Sequence, residues 1–169
     1  MNHLATSKED ILAASRDLIK ENGWAAVSIR AVASRCSVSA GTIYNYYESK
    51  ADLLSDTIES IWHEIFFHPE DEQVFHDVES CISWIYERLE YGNRQFPGFF
   101  SLHSFGFMRD EKTSGKKRMM KTWGHILNGL CEVLENDPKV RADVFDQEFT
   151  EKKFADILFS LILVSMIRQ

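Results

Sequence analysis

Proline is scarce, with three in 169 residues. Pro69, Pro97 and Pro138 stand at places where helical patterns stop or start, because a proline disfavours helix in the residue before it and suits the first turn of a helix after it. Cysteine is equally sparse. Three scattered cysteines give no disulfide framework and fit free thiols in a reducing compartment. Long apolar runs are missing too. The best candidate, 157–167, is broken by Ser160 and Ser165 and preceded by charges, which excludes an ordinary membrane span. The first ten residues are polar, unlike a secretory leader, so a cytoplasmic protein is expected. Motifs of catalysis are also lacking. No glycine-rich phosphate loop occurs, no nucleophile stands with a recognisable base, and Phe67 follows His63-Glu64 where a zinc-binding helix needs its second histidine. No enzymatic activity, cofactor or metal is expected.

What the chain does have is apolar content, 44% hydrophobic with 12% aromatic residues, enough for a sizeable core. Its spacing is helical almost throughout, with no convincing strand. Ser7 to Asp10 resembles a capping box ahead of Ile11, Leu12, Ser15, Leu18 and Ile19, and Gly23 marks a stop. A helix from Ser49 carries Leu53, Leu54, Ile58, Ile61, Trp62, Ile65 and Phe66 on one face and ends near Pro69. Further helices are expected over about Val74 to Tyr91, closed by Gly92 and Asn93, and about Lys116 to Glu135. An aromatic segment runs from Phe99 to about Met108. A last helix, about Phe149 to Arg168, is apolar on nearly every side, which requires burial on two faces and points to self-association.

Net charge is −7, but its distribution is uneven. Through Lys50 there are six basic residues (Lys8, Arg16, Lys20, Arg30, Arg35, Lys50) and five acidic ones (Glu9, Asp10, Asp17, Glu21, Glu48), a net of +1, leaving −8 for the remainder. Only the N-terminal part can approach phosphates without strong repulsion. That part holds the densest pattern in the chain. Between Ser28 and Leu54 three helix starts follow one another, capped by Ser28, Ser39 and Ser49, whose side chains can accept from free backbone amides. Two short helices separated by Cys36-Ser37-Val38, with Val38 as an apolar plug, have the geometry of a helix-turn-helix.

The segment resembles the DNA-binding domain of the TetR family of bacterial transcriptional regulators. The matches are Ser28, Arg30, Ala33, Val38, Ser39, Gly41, Thr42, Ile43, Tyr44, Tyr47, Ser49, Lys50 and Leu53. Two positions depart from the family's run, Cys36 for the usual Ala and Ser37 for the usual Gly. A glycine there takes a positive φ, so Ser37 costs about 1 kcal/mol if the turn is kept. The resemblance implies an all-α protein, with a three-helix DNA-binding domain at 1–48 and an effector-binding and dimerisation body at 49–169. It further implies a homodimer on a double-stranded DNA operator, most often a repressor released by a small apolar or amphipathic effector. A helical interaction module that does not act through DNA is the alternative.

Side chains able to reach DNA are Ala40, Thr42, Tyr44, Asn45 and Tyr46, with Ser28, Ser39 and Gly41 at the helix starts. Asn45 suits adenine and Arg30 guanine, both also suiting phosphate, and Lys50 suits phosphate at a helix N-terminus. The family places phosphate or base contacts at Tyr44 and Tyr46 and a core aromatic at Tyr47. In the body, the aromatic stripes read as plain core by themselves. The family's effector cavity would fall among Trp62, Phe66, Trp84, Phe100, His103, Phe107, Trp123 and Leu127. The basic cluster Lys112, Lys116, Lys117, Arg118 and Lys121 reads as a solvated helix start or as a site for an anionic effector. Family members dimerise through their last two helices. Here one long helix follows Pro138, so either the chain is truncated after Gln169 or the interface differs, with Phe159, Leu163 and Ile167 facing the partner.

Overall fold

The computed structural model describes residues 6–67, 77–100, 114–141 and 143–167, with the backbone alone at 114–122 and 167. The described elements are all helical: α1 (Lys8–Asn22), a 3-10 turn (Trp24–Ala26), α2 (Ile29–Arg35), α3 (Ala40–Tyr44), α4 (Lys50–Phe66), α5 (Val78–Gln95), α6 (Ser114–Asn136) and α7 (Glu151–Ile167). None is long and apolar enough to cross a membrane.

Local sequence sets the first four helices. The Asp10 amide donates to Ser7 Oγ over 3.1 Å and the Ser7 amide donates to Asp10 Oδ2 over 2.8 Å, the reciprocal capping box. Gly23, at φ 75°, ends α1 and donates its amide to the Ile19 carbonyl. Ser28, Ser39 and Ser49 each accept the amide three residues on, at 3.1–3.2 Å. Between α2 and α3 the chain makes a Schellman turn: the Val38 amide donates to the Ala33 carbonyl and the Ser37 amide to that of Ser34. Ser37 adopts φ 57°, so the left-handed geometry of the turn is kept without glycine. Ile11, Ile19, Val32, Ile43 and Tyr47 fill the small core of this head.

The body is built around α4. Trp62 is buried, with its ring centroid 5.3–5.8 Å from those of Phe66, Phe99, Phe100 and Trp123. Trp24 of the head stacks on Phe99 at 5.9 Å. α5 differs from the sequence expectation at both ends. It starts at Val78, capped by Asp77, and it runs through Gly92 and Asn93 to Gln95. Gly92 does not end the helix because it is a packing position: a Cβ there would collide with the buried Ile65 and touch Phe100. Residues 97–100 form a turn, and the rest of the expected aromatic segment lies outside the described residues, as do Pro69 and the start expected at Val74.

α7 corrects the expected partner face. Phe159 and Leu163, assigned from sequence to a partner subunit, are buried against their own body together with Ala155, Ile162 and Met166. Periodicity explains the rotation: 155, 159, 162, 163 and 166 form one helical stripe. The outward stripe is Ile157, Leu161 and Val164, exposed by 50%, 62% and 45%. Ile167 lies at the end of the helix, with its side chain outside the description.

Candidate nucleic-acid interface and body pocket

The turn after α2 presents α3 on the outside of the head. Ile43 and Tyr47 anchor it in the core. Gly41, Tyr44 and Asn45 are exposed, and Ala40 and Thr42 half-buried. Thr42 Oγ1 lies 3.0 Å from Ser39 Oγ, so one of the two hydroxyls donates to the other at the start of the helix. Tyr46 is turned differently. Its hydroxyl donates to the Thr6 carbonyl over 2.7 Å, and the ring thereby ties the segment ahead of α1 to α3.

Electrostatics separates the cations of the head into two sets. Lys8 meets the buried Asp56 at 2.6 Å, Arg16 meets Glu9 and Glu64, and Lys20 meets Glu64 at 2.7 Å. Arg35 pairs with Glu21, whose carboxylate is held below its ordinary range by the guanidinium. Arg30 and Lys50 pair with no carboxylate among the described residues and are exposed. Both occupy the first turn of a helix, where the backbone dipole disfavours a cation by a few tenths to about 1 kcal/mol. An incoming phosphate reverses that penalty, since it is attracted by the cation and by the helix end together.

The junction with the body is made by α1 against α4. Glu64 takes Arg16 Nε at 3.1 Å as well as Lys20. Arg88 of α5 donates to the carbonyls of Glu64 and Ile65, satisfying the free end of α4. The Lys20 ammonium lies 4.9 Å above the Phe96 ring.

A pocket of about 150 Å³ opens between α4, α5 and α6, walled by Phe66, Trp84, Ile85, Ile126 and Leu130, with Phe67 and His125 at its rim. Of the effector residues expected from sequence, Phe66 and Trp84 line this space. Trp62, Phe100 and Trp123 instead interlock as core, Leu127 is half-buried away from it, and His103 and Phe107 lie outside the described residues. Ile85, Ile126 and Leu130 were hidden in sequence because a pocket wall and a core stripe share one periodicity. Cys81 also borders the space, its thiol pushed up to about 11 by burial. Among the described residues no group of three or more His, Cys, Asp or Glu side chains could hold a metal ion. The side chains of the Lys112–Lys121 cluster lie outside the description.

Residues 11–57 match the family model described as bacterial regulatory proteins, tetR family. The N-terminal part of the chain is thus similar to the TetR family. Over 48 residues the chain is 38% identical to the HTH-type transcriptional regulator UidR of Escherichia coli K12, covering 28% of this chain and 24% of that protein. Over 47 residues it is 45% identical to the HTH-type transcriptional repressor KstR of Rhodococcus jostii, covering 28% and 22%. The match thus spans about a quarter of these curated relatives. The fold extends the likeness to the body. A transcriptional regulator from Rhodococcus sp. Rha1 superposes with a TM-score of 0.69 at 20% identity, covering 97% of this chain and 85% of that one. The regulator FadR of Bacillus subtilis, solved in complex with stearoyl-CoA, gives 0.65 at 19% identity, covering 96% and 86%.

Proposed function

We propose that this chain is a DNA-binding transcriptional regulator that acts as a homodimer on a palindromic operator and represses until a small effector releases it. The observation that carries this reading is the pair of cations, Arg30 and Lys50, that meet no carboxylate among the described residues, at helix starts flanking α3, while Lys8, Arg16, Lys20 and Arg35 are tied in ion pairs. Lys50 supplies phosphate affinity without sequence information, and Arg30, Tyr44 and Asn45 supply base or phosphate contacts. Ser28, Ser39 and Gly41 present the helix starts. Ala40 and Thr42 lie against the groove, and Tyr46 orients the head through Thr6. Residues 1–48 form the reading head and 49–169 the effector and dimerisation body, in a cytoplasmic protein.

The outward stripe Ile157, Leu161 and Val164 on α7 is the partner face, since three large apolar side chains in a row are otherwise left in water. Release follows from differential affinity: an effector that prefers a body conformation with mis-spaced heads lowers operator affinity by that preference. The stearoyl-CoA held by one fold neighbour supports a body that takes an apolar or amphipathic molecule. The test is titration of the full chain onto duplexes from upstream of its own gene at two salt concentrations. Tight, salt-dependent binding to a palindrome is expected. Equal, weak binding to all duplexes would reject the regulator reading in favour of an interaction module.

A further inference from the structure

Two glycines in the body helices behave oppositely. At Gly92 a Cβ would collide with Ile65, so close packing excludes a side chain. At Gly129, inside α6, a Cβ meets no described atom within 4 Å, yet glycine in a helix interior costs about 1 kcal/mol relative to alanine. Gly129 borders the pocket between α4, α5 and α6. A side chain added at this position would therefore project into a space that none of the described residues fills.

The size and walls of that space limit its occupant. An apolar cavity of about 150 Å³ accepts a benzene ring, and the volume here is about 150 Å³. A long acyl chain needs a multiple of it. Among the described residues no Asp, Glu, Lys or Arg side chain lines the pocket, and the deep wall is aromatic and aliphatic: Phe66 and Trp84 meet edge to face at 5.7 Å, an arrangement that a third ring extends. The polar group at hand is the exposed His125, on the rim opposite Phe67, with ring centroids 6.4 Å apart.

We propose that this pocket binds a single aromatic ring bearing one small polar substituent, a phenol-type ligand, with the ring on Phe66 and Trp84, its edge over Gly129, and the substituent at the His125 imidazole. The ligand class rests on the reading of the body as an effector domain, and differs from the long acyl thioester held by the Bacillus subtilis neighbour.

The experiment is calorimetric titration of the full chain with phenol, toluene and stearoyl-CoA, followed by the same additions to the operator complex. Phenol and toluene bind the unmodified chain, phenol more tightly, and His125→Leu removes the difference while toluene still binds. Gly129→Leu, which fills the space, weakens both rings at least about tenfold, and Gly129→Ala weakens them less. Should Gly129→Leu fail to fold, the phenol and toluene comparison with His125→Leu decides alone. No binding of either ring to the unmodified chain overturns the proposal, and so does stearoyl-CoA binding that Gly129→Leu abolishes. Ring binding that leaves operator affinity unchanged supports the ligand class and removes this pocket from the regulatory reading. Operator release by stearoyl-CoA with no ring binding keeps the regulatory reading and sinks the ligand class.

Discussion

Ser37 holds φ 57° while its amide and that of Val38 close the turn between the two short helices. A Cβ in this left-handed region crowds the carbonyl, and glycine relieves it. Ser37→Gly should therefore raise stability by about 1 kcal/mol, with the offset from the greater freedom of unfolded glycine reducing the gain. Urea denaturation of the two chains checks it; a clear loss of stability would mean that the serine hydroxyl has a structural role. At Lys50 and Arg30 the expectation concerns information rather than fold. Lys50→Ala should weaken all duplexes alike and lower the salt slope of binding by about 1, whereas Arg30→Ala or Asn45→Ala should relax base preference at one position by about 1–3 kcal/mol. Binding-site selection with each variant distinguishes them, and unchanged affinity in Lys50→Ala would remove that residue from the interface. The serine caps and the Ser37 turn were legible in sequence because caps and turns are interactions over two to four positions. The bond from Tyr46 to Thr6 was not, since its partner is forty residues away.

Element boundaries obey the same rule of locality and fail where packing overrides it. A glycine followed by asparagine reads as a helix end, yet α5 continues because Gly92 is the place where it crosses Ile65 of α4. Gly92→Ala should destabilise by about 1–3 kcal/mol, the cost of overpacking a tight crossing, measured by thermal melting; a neutral result would mean that Ile65 repacks freely. The start of α5 carries a pH dependence. Asp77 accepts from Lys139 and from Ser80, and the Lys139 ammonium, followed by Ser80, holds its carboxyl well below the ordinary carboxylate value. A depressed folded value contributes stability that is present above the unfolded carboxylate range and lost as pH falls through it. The stability difference between the natural chain and Asp77→Asn should thus be constant near neutrality and shrink steadily in acid below about pH 4. A difference that persists unchanged to low pH would show that the ionised form does not matter there.

At the scale of the molecule, the proposed dimer turns on α7. Its apolar character was plain in sequence, but which stripe faces inward depends on the rotation imposed by α6, and a helix that is apolar on nearly every side carries no mark of its own rotation. With Leu163 buried and Leu161 exposed by 62%, two neighbouring substitutions should diverge. Leu161→Glu should give folded monomers that have lost tight operator binding, because two linked heads are needed for a palindrome. Leu163→Glu should unfold the body. Sedimentation and circular dichroism of both variants check this, and a dimeric Leu161→Glu would exclude the outward stripe as the interface. The all-helical architecture and the N-terminal helix-turn-helix were recoverable from pattern. The pocket was not, because its emptiness is a property of how three helices fail to touch.

The carboxylate of Glu64 that joins head to body is only 23% exposed, and its Arg16 partner 16%, whereas Arg30 and Lys50 stand in open water. Mobile ions weaken exposed charge pairs far more than partly buried ones. Added salt should therefore lift the protein off DNA without loosening the joint behind the reading head. In the proposed operator complex the slope of affinity against salt would then count phosphates alone, and ionic strength would become a ruler for the footprint of the protein on DNA.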